Sequence, residues 1–443
     1  MADRSTLTLV AGQRVFSRFA RPLTLASKPQ IACRVCGFRP LKTYLNLGRT
    51  PLANSYLAKN ELARPEFKEE LALQLCPKCG LSQLTQVVSP ERMYKNYLYV
   101  SSTPATFRAH CVELAKTAAS VAGLKAGDFV LDIASNDGCL LSAFRDLGMR
   151  VLGVEPAENL APEANKRKIP TLCAYWSVSV ARDIAVRFGR PKVITSTNVL
   201  AHVDDVHGFV AGIEASLAPR GLWIIEVPYG LDFIQKNEFD TAYHEHLSYF
   251  NLSSIQELLK RHRFEIVDVG YFPSLHGGTI RVYASRPGSY ARRTRPNTWR
   301  QKENDFGVTR TAPYRAFAKR VQANKLHLMQ LLQKIRREKK VIWAYGASAK
   351  GNTLLNFYGI SNRVVPVAID DNPKKWKYYT PGSRIRITSI HELRKNAVDY
   401  LLLLAWNFKD EIMKRCRVVG YRRAYILPVP RAKILNGKRV NQA

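Results

Sequence analysis

The stretch VLDIASNDG, at residues 130–138, decides the fold predicted for this chain of 443 residues. It begins as a mostly apolar run and ends in a short polar turn that closes on Gly138, and a helical pattern follows at residues 143–147. A strand that runs through such a turn into a helix brings backbone amides and a helix N-terminus close to a ligand. We therefore predict a strand, a ligand-binding turn and a helix here.

Strand and helix patterns alternate around this turn. The further strand-like runs are RVLGVEP (150–156), KVITSTNVL (192–200) and GLWIIEVP (221–228). This alternation predicts an α/β domain with a doubly wound parallel sheet, Rossmann-like in type, over residues 91–285. A second Rossmann-like α/β domain is predicted for residues 316–443, where KKVIWAYGASAKGNTLLNF (339–357) follows the pattern strand, glycine turn, helix.

The segments outside these two domains are rich in basic residues. Residues 286–315 contain RPGSYARRTRPNTWR, which has no helical or strand periodicity, so we expect a basic linker. Residues 1–30 contain five basic residues and one acidic residue. Such a composition is typical of an organelle transit peptide or of a flexible basic lead-in, and both interpretations stay open.

Two CxxCG motifs, at residues 33–37 and 76–80, predict a small metal-binding module over residues 31–90. The glycine of each motif allows a tight turn that directs backbone amides at thiolate sulfurs. Four thiolates form a closed tetrahedral site, the usual structural zinc arrangement, which leaves no open position for catalysis. The alternative is a redox pair or two free dithiols. The expected zinc ligands are Cys33, Cys36, Cys76 and Cys79.

The turn of the central domain favours a cofactor that has a ribose and no phosphate. Glu155 ends the next predicted strand, where an acid can accept hydrogen bonds from ribose hydroxyls. The sequence lacks GxGxxG at this turn, which argues against a pyrophosphate cofactor, whereas S-adenosylmethionine fits both features. The residues expected at this cofactor are Asp132, Ser135, Asn136, Asp137, Gly138, Glu155 and Asn198.

A dense cluster of titratable groups lies in FDTAYHEHLSYF, at residues 239–250. It follows the strand predicted at 221–228, and α/β enzymes place their chemistry at the carboxyl ends of strands. Histidine is well suited to proton transfer near neutral pH. The residues alone leave three interpretations open, namely general acid/base chemistry, a metal site and polar packing.

The formal net charge of +33 favours anionic partners. A nucleic acid and a diphosphate-linked small molecule are both anionic, so the net charge alone does not distinguish between these partners. The longest apolar stretch, YLLLLAW at 400–406, is far too short to span a bilayer, and no transmembrane helix or membrane partner is expected.

The order of these motifs resembles that of the S-adenosylmethionine-dependent sugar C-methyltransferases. The best-known members of that family act at C-3 of thymidine-diphosphate-linked keto-deoxysugars. The similarity runs from Cys33 to about Leu427. Besides the CxxCG pair, it is carried by NLGRTPLANSYL (46–57), SNDG (135–138), VLGVEPAENLA (151–161), NVLAHVDDVHGFV (198–210), EVPY (226–229), FDTAYHEHLSYF (239–250), HGGTIRVYA (276–284), YGASAKGNTLLN (345–356) and DDNPKK (370–375).

The resemblance implies an enzyme that methylates a carbon of a nucleotide-linked keto-sugar by base-catalysed enolate formation. It also implies that the C-terminal domain holds the nucleotide-sugar, most simply a thymidine-diphosphate sugar. His246 matches the general base of the family, and Tyr243 and Glu245 match the flanking residues that orient the substrate. Tyr97 or Tyr99 matches a further active-site tyrosine.

One position departs from the family pattern. Ala134 stands where the family usually has glycine, so its methyl group either crowds the cofactor or shifts the turn. A second hypothesis is an enzyme of the same fold that acts on a different keto-substrate.

A competing hypothesis is a methyltransferase-like scaffold that has lost activity and binds RNA or a protein partner through its basic surface. The YHEH sequence and Glu155 argue against it, because a scaffold does not need them. Nucleic-acid binding is therefore expected to be weak and non-specific. We expect a cytoplasmic protein, with organelle import through the N-terminus left open.

Overall fold

The structure is a computed structural model that describes residues 27–94, 100–103, 105–275, 277–291 and 293–437. Most of the basic N-terminal segment lies outside these ranges.

The N-terminal module is built mainly from antiparallel strands. Its elements are β1 (Lys28–Pro29), β2 (Lys42–Pro51), β3 (Lys68–Leu75), β4 (Ser82–Leu84), β5 (Gln86–Val87) and α1 (Pro90–Tyr94). Strand β3 pairs with β2 on one side and with β4 on the other. Strands β2 and β3 lie between the two CxxCG motifs along the chain, and the second motif joins β3 to β4.

The central domain alternates helices and strands. Its elements are α2 (Ala105–Ala122), β6 (Phe129–Ile133), α3 (Cys139–Asp146), β7 (Arg150–Glu155), α4 (Ala161–Lys166), β8 (Thr171–Cys173), α5 (Val178–Arg187), β9 (Val193–Thr197), α6 (Val206–Ser216), β10 (Leu222–Pro228), α7 (Gly230–Gln235), β11 (Ser248–Tyr249), α8 (Leu252–Arg261), β12 (Glu265–Phe272) and β13 (Thr279–Ser285). Short 3-10 helices follow β9 and α7, at Leu200–His202 and Phe239–Thr241.

The central sheet has the strand order β12-β13-β10-β9-β6-β7-β8. The five strands β6 to β10 are parallel, which confirms the predicted doubly wound sheet. Strand β13 runs antiparallel between β10 and β12, so the complete sheet is mixed.

The C-terminal domain repeats this kind of architecture. Helix α9 (Arg295–Phe306) precedes this domain and packs on α8 and β12 of the central domain. The elements of the C-terminal domain are α10 (Thr311–Arg337), β14 (Ile342–Tyr345), α11 (Ala349–Tyr358), β15 (Val367–Ile369), β16 (Arg386–Thr388), β17 (Tyr400–Leu403), α12 (Lys409–Val418), β18 (Ala424–Leu427) and β19 (Lys433–Leu435). The sheet order is β16-β15-β14-β17-β18-β19, and only β19 is antiparallel among these strands. The predicted second α/β unit is confirmed.

The segment predicted as a linker without regular structure, residues 286–315, contains all of α9 and the start of α10, so that prediction of its structure is wrong. Pro296 lies in the first turn of α9, and Gly307 ends the helix with φ +81°. The buried Glu303 carboxylate accepts hydrogen bonds from the backbone amides of Leu252 and Ser253. Tertiary contacts stabilise this polar helix, and sequence periodicity does not reveal them. The domain boundaries themselves remain predictions.

The N-terminal module shares its hydrophobic packing with both domains. Leu45 and Leu71 of its sheet belong to one buried cluster with Phe317 and Leu354 of the C-terminal domain. The four cysteines, with Val35 and Leu81, belong to another buried cluster with the core of the central domain. The module therefore packs on both domains at once.

Among the ranges described above, no helix is both long enough and apolar enough to cross a membrane.

Candidate active site and zinc centre

The four cysteines of the CxxCG motifs meet in one buried cluster. Their sulfur atoms all lie within 4.8 Å of one another. The Sγ atoms of Cys33 and Cys79 are 3.5 Å apart, and those of Cys36 and Cys76 are 3.4 Å apart. A tetrahedral zinc ion with Zn–S bonds of about 2.3 Å sets its sulfurs roughly 3.8 Å apart, so the cluster fits zinc closely. This is a buried zinc-binding site with four cysteine ligands.

The glycine of each CxxCG motif adopts the conformation that the turn requires. Gly37 and Gly80 have φ values of +72° and +77°. Their amides donate to the carbonyls of Cys33 and Cys76, at 2.9 and 3.0 Å. Both motifs thus form the same tight turn around the metal position, as the spacing predicted.

The carboxyl ends of β6 and β9 form the switch point of the central sheet. The chain leaves β6 towards β7 on one side and later enters β9 on the other side. Doubly wound sheets bind ligands in the crevice at this point. The turn of residues 134–138 follows β6, and Asn198 follows β9. The structure therefore brings the two predicted parts of the cofactor site to the same edge of the sheet.

Glu155 ends β7 beside the same turn. Its carboxylate accepts hydrogen bonds from the amides of Asn136, at 2.8 Å, and Ala157, at 2.9 Å. Burial raises the pKa of Glu155, while the two amides act in the opposite direction. Each carboxylate oxygen has a second lone pair, so the group can still accept hydrogen bonds from the hydroxyls of a ligand.

Asp132 lies in β6, with its side chain buried under the same edge. Its Oδ1 atom accepts a hydrogen bond from Oγ1 of Thr195 at 2.6 Å. Burial raises the pKa of Asp132 to about 7, against the effect of this hydrogen bond. A cationic ligand close by would favour the ionised carboxylate.

Ala134 keeps the backbone conformation for which the family pattern has glycine. Its φ value is +58°, and Asn136 and Gly138 have φ values of +53° and +77°. An L-residue in this region costs roughly 1–2 kcal/mol. Alanine therefore occupies this turn at a cost in backbone strain.

Three polar atoms at this edge are buried without a hydrogen-bond partner in the described part of the chain. They are Oγ of Ser135, Oδ1 of Asp137 and Oδ1 of Asn198. Burying an unpaired polar atom is costly, so such atoms are expected where a ligand completes the hydrogen bonds. The edge is thus suited to a polar ligand such as the amino acid and ribose parts of S-adenosylmethionine.

The residues 238–249, named the YHEH loop below, are attached to the N-terminal module. Strand β11 of this loop pairs with β4, with Ser248 opposite Gln83. Nδ2 of Asn54 donates to Oε1 of Glu245 at 2.6 Å. The loop thereby adds a fourth strand to the sheet of the module.

The C-terminal domain holds the other part of the YHEH loop. Nε1 of Trp406 donates to Oδ2 of Asp240 at 2.6 Å, and Oγ1 of Thr353 donates to the carbonyl of Ala242 at 2.9 Å. Trp406 follows β17 and Thr353 lies in α11, so the contacts come from the switch point of the second sheet. Neither contact could be predicted from the sequence.

The hydrogen bonds of His246 define its tautomer. Nδ1 lies 2.9 Å from the carbonyl oxygen of Thr241, which can only accept, so Nδ1 carries the proton. Nε2 lies 2.6 Å from the hydroxyl of Tyr243. In the neutral imidazole Nε2 carries the lone pair, and the Tyr243 hydroxyl donates to it. Nε2 is thus the ring nitrogen that can take up a proton.

His244 and His246 point to different surroundings. The loop turns at this point, since the amide of His246 donates to the carbonyl of Tyr243 at 2.9 Å. His244 Nε2 lies 3.3 Å from the carbonyl oxygen of Glu69 in the N-terminal module. Burial lowers the pKa of His244. Of the two histidines, His246 is the one that contacts Tyr243.

His202 is a site residue that the sequence analysis missed. It ends the 3-10 helix after β9, four residues beyond Asn198, and its ring centroid lies 4.9 Å from that of His246. Burial lowers the pKa of His202 to about 4, so the ring is neutral at neutral pH. Its position just beyond a parallel strand was the available signal. Through this contact the cofactor edge and the YHEH loop meet.

The predicted active-site residue Tyr97, like its alternative Tyr99, lies outside the described residues. The adjoining residue Ser101 donates its amide to Oδ1 of Asn136 at 2.9 Å. The segment after these tyrosines thus reaches the cofactor turn.

The glycine turn of the C-terminal domain faces the YHEH loop. Ser348 caps α11 by accepting from the amide of Gly351 at 3.1 Å. Lys350 lies in the first turn of that helix, with Nζ 3.8 Å from Oε2 of Glu238. Burial raises the pKa of Glu238 to about 7, against the effect of Lys350. A helix N-terminus and a lysine therefore lie beside the loop that carries His246.

Three protein-family models match successive parts of the chain. They describe a putative zinc binding domain at residues 33–94, a methyltransferase domain at 107–269 and a C-methyltransferase C-terminal domain at 274–430. The C-methyltransferase NovU of Streptomyces niveus is 34% identical over 416 residues, which cover 93% of this chain and 98% of NovU. The chain belongs to this family of C-methyltransferases with an N-terminal zinc-binding domain.

Two other similarities cover less of the chain. A ubiquinone biosynthesis O-methyltransferase of Rhodopseudomonas palustris (strain BisA53) is 31% identical over 113 residues, 25% of this chain and 42% of that protein. The structure of magnesium protoporphyrin IX methyltransferase from Synechocystis PCC 6803 with bound SAM is 14% identical and covers 40% of this chain and 79% of its own, with a TM-score of 0.32. Neither similarity bears on the substrate.

The chain is accordingly an S-adenosylmethionine-dependent C-methyltransferase with a structural zinc site. The hypothesis of an inactive scaffold is therefore dropped.

Metal analysis of the purified protein by plasma emission spectroscopy should find about one zinc ion per chain, because four cysteine ligands close one tetrahedral site. The Cys76→Ser variant should lose the ion. Cys173, which is exposed and lies outside the cluster, provides the matched control, and Cys173→Ser should keep the zinc. A folded wild-type protein without zinc would contradict the assignment.

Proposed function

We propose that the chain transfers a methyl group to the carbon next to the ketone of a nucleotide-linked deoxysugar, with Nε2 of His246 as the general base. The observation that carries this proposal is the hydrogen bond from Nδ1 to the carbonyl of Thr241, which leaves the lone pair on Nε2. A ketone acidifies the neighbouring C–H bond, so a neutral imidazole can remove that proton and leave an enolate.

The surroundings of His246 support its role as a base. The ring is largely buried, and its neighbour His202 has a pKa of about 4. His202 therefore stays neutral while His246 takes up a proton, so no second imidazolium opposes this step. The carbonyl of Thr241 stabilises the imidazolium through the hydrogen bond to Nδ1.

Tyr243 is the donor that we assign to the substrate oxygen. Its hydroxyl lies 2.6 Å from Nε2 of His246, next to the atom that removes the proton. That hydroxyl has a single proton, so on substrate binding it would turn from Nε2 to the ketone oxygen, which releases the Nε2 lone pair and stabilises the negative charge that develops on the oxygen. Glu245, held by Asn54, would orient the sugar by accepting from a hydroxyl.

Bound S-adenosylmethionine supplies an electrophilic methyl group for attack by the enolate carbon. The chain must hold both partners in line and exclude water. We propose that Glu155 accepts from the ribose hydroxyls and that the unpaired atoms at the switch point complete the site. The residues that we assign to the cofactor are Asp132, Ser135, Asn136, Asp137, Gly138, Glu155 and Asn198.

The polar groups around the YHEH loop favour a sugar substrate that carries an anionic diphosphate. Oδ1 of Asp240 and Oγ1 of Thr241 are buried without a partner in the described part of the chain, and sugar hydroxyls can satisfy both. The N-terminus of α11 and Lys350 lie alongside and suit a diphosphate. A thymidine-diphosphate-linked keto-sugar fits this combination.

Replacing Glu155 with alanine is expected to weaken S-adenosylmethionine binding by about 1.5–3 kcal/mol, because a charged hydrogen-bond acceptor is lost. Titration calorimetry measures this change. Glu158 is exposed and lies three residues further along, so Glu158→Ala is the matched control and should bind normally. Unchanged affinity in Glu155→Ala would remove this residue from the cofactor site.

Replacing His246 with asparagine is expected to lower turnover about 100- to 10,000-fold, the usual contribution of a general base. Cofactor affinity should stay close to that of the wild type, because His246 is not assigned to that site. Turnover is measured with candidate nucleotide-linked keto-sugars by product mass. His244→Asn should lose far less activity, and the reverse ranking would transfer the role to His244.

A further inference from the structure

We propose that Arg34 is a positioning residue that fixes the base His246 to the zinc-bound knuckle. This inference rests on the proposed function, in which His246 removes the substrate proton. Arg34 lies between two zinc ligands in the sequence Cys33-Arg-Val-Cys36, and its side chain is 1% exposed. Its guanidinium reaches the junction between the two loops that carry His246 and His202.

The guanidinium of Arg34 binds one acceptor from each of those loops. Nη1 donates to the carbonyl of Leu247 at 3.0 Å, and Leu247 is the residue after His246. Nε donates to Oδ1 of Asp204 at 3.3 Å, and Asp204 lies two residues after His202. One buried side chain therefore joins the loop after β9 to the YHEH loop.

This placement has a direct effect on the two histidine rings. They are 4.9 Å apart and belong to segments more than 40 residues apart in the chain. Their relative position depends on contacts that cross between the segments. Because Arg34 leaves a knuckle that the metal makes rigid, it relates both segments to one fixed point.

The backbone around Arg34 reinforces the same connection. Its amide donates to Oε1 of Gln83 at 3.0 Å, and Gln83 is the residue of β4 that pairs with Ser248. The amide of Leu84 donates to the carbonyl of Leu247 at 3.0 Å, so this carbonyl accepts from both β4 and Arg34. The residue after His246 is thus held by two donors of the zinc module.

Position 34 requires arginine, and lysine would not replace it. The planar guanidinium presents several donors in a fixed geometry, whereas a lysine ammonium is a single point charge on a flexible stem. Nη2 of Arg34 is buried without a partner in the described part of the chain, which is costly for stability alone. A role in holding two loops accounts for a buried cation at this position.

The test compares Arg34→Met and Arg34→Lys with Arg261→Met as the matched control. Arg261 also contacts the knuckle, with Nη2 3.3 Å from the carbonyl of Cys36, but the contacts described for it do not reach the YHEH loop. We expect both Arg34 variants to keep zinc and cofactor affinity, and turnover to fall about 10- to 100-fold, the scale of a small misplacement of reacting groups. Arg261→Met should retain wild-type turnover.

Hydrogen exchange supplies a measurement that does not depend on activity. In Arg34→Met, exchange should rise in the peptide 239–250 and stay unchanged in the peptide 68–80, because the loop loses a donor while β3 keeps its pairing with β2. Increased exchange in both peptides of both Arg34 variants would indicate a merely structural role and overturn the proposal.

The result for His246→Asn separates this proposal from the proposed function. Full turnover in zinc-loaded Arg34→Lys and Arg34→Met, with His246→Asn inactive, would overturn the positioning role and leave the base assignment intact. If Arg34→Met loses zinc, the positioning role is tested with Arg34→Lys and Asp204→Asn instead. Full turnover in both of these variants overturns the proposal. Full turnover in His246→Asn would overturn the base assignment and with it the positioning role.

Discussion

The attachment of the YHEH loop to both neighbouring modules is the constraint on which the rest of the site depends. The loop belongs in sequence to the central domain, yet β11 pairs with β4 of the zinc module, and Asp240 accepts a hydrogen bond from Trp406 of the C-terminal domain. A loop of this length has many conformations when free, and each contact reduces that entropy. The position of His246 is therefore set by three modules together.

This constraint explains why a closed zinc site belongs in an enzyme whose proposed mechanism uses no metal. Four cysteine ligands leave no open position on the ion, so the metal stabilises structure. The knuckles pack in one hydrophobic cluster with the core of the central domain, and the sheet beside them packs with the C-terminal domain. The zinc module thus packs against both α/β domains.

Local pattern predicted much of this structure, and contacts between distant segments account for what it missed. The runs at β6 and β7 are mostly apolar, which is typical of buried parallel strands, and the CxxCG spacing defined the zinc site. Helix α9 was missed because its stability depends on tertiary contacts such as those of Glu303. His202 was missed because only folding brings it next to His246.

Exchange of the sugar proton next to the ketone with deuterated solvent tests the central claim most directly. Proton NMR follows this signal while a non-reactive analogue of S-adenosylmethionine is bound, so that proton removal is observed without methyl transfer. The wild type should exchange the proton, and His246→Asn should not, because the variant lacks Nε2, the proposed base. Exchange at the wild-type rate in His246→Asn would contradict the account.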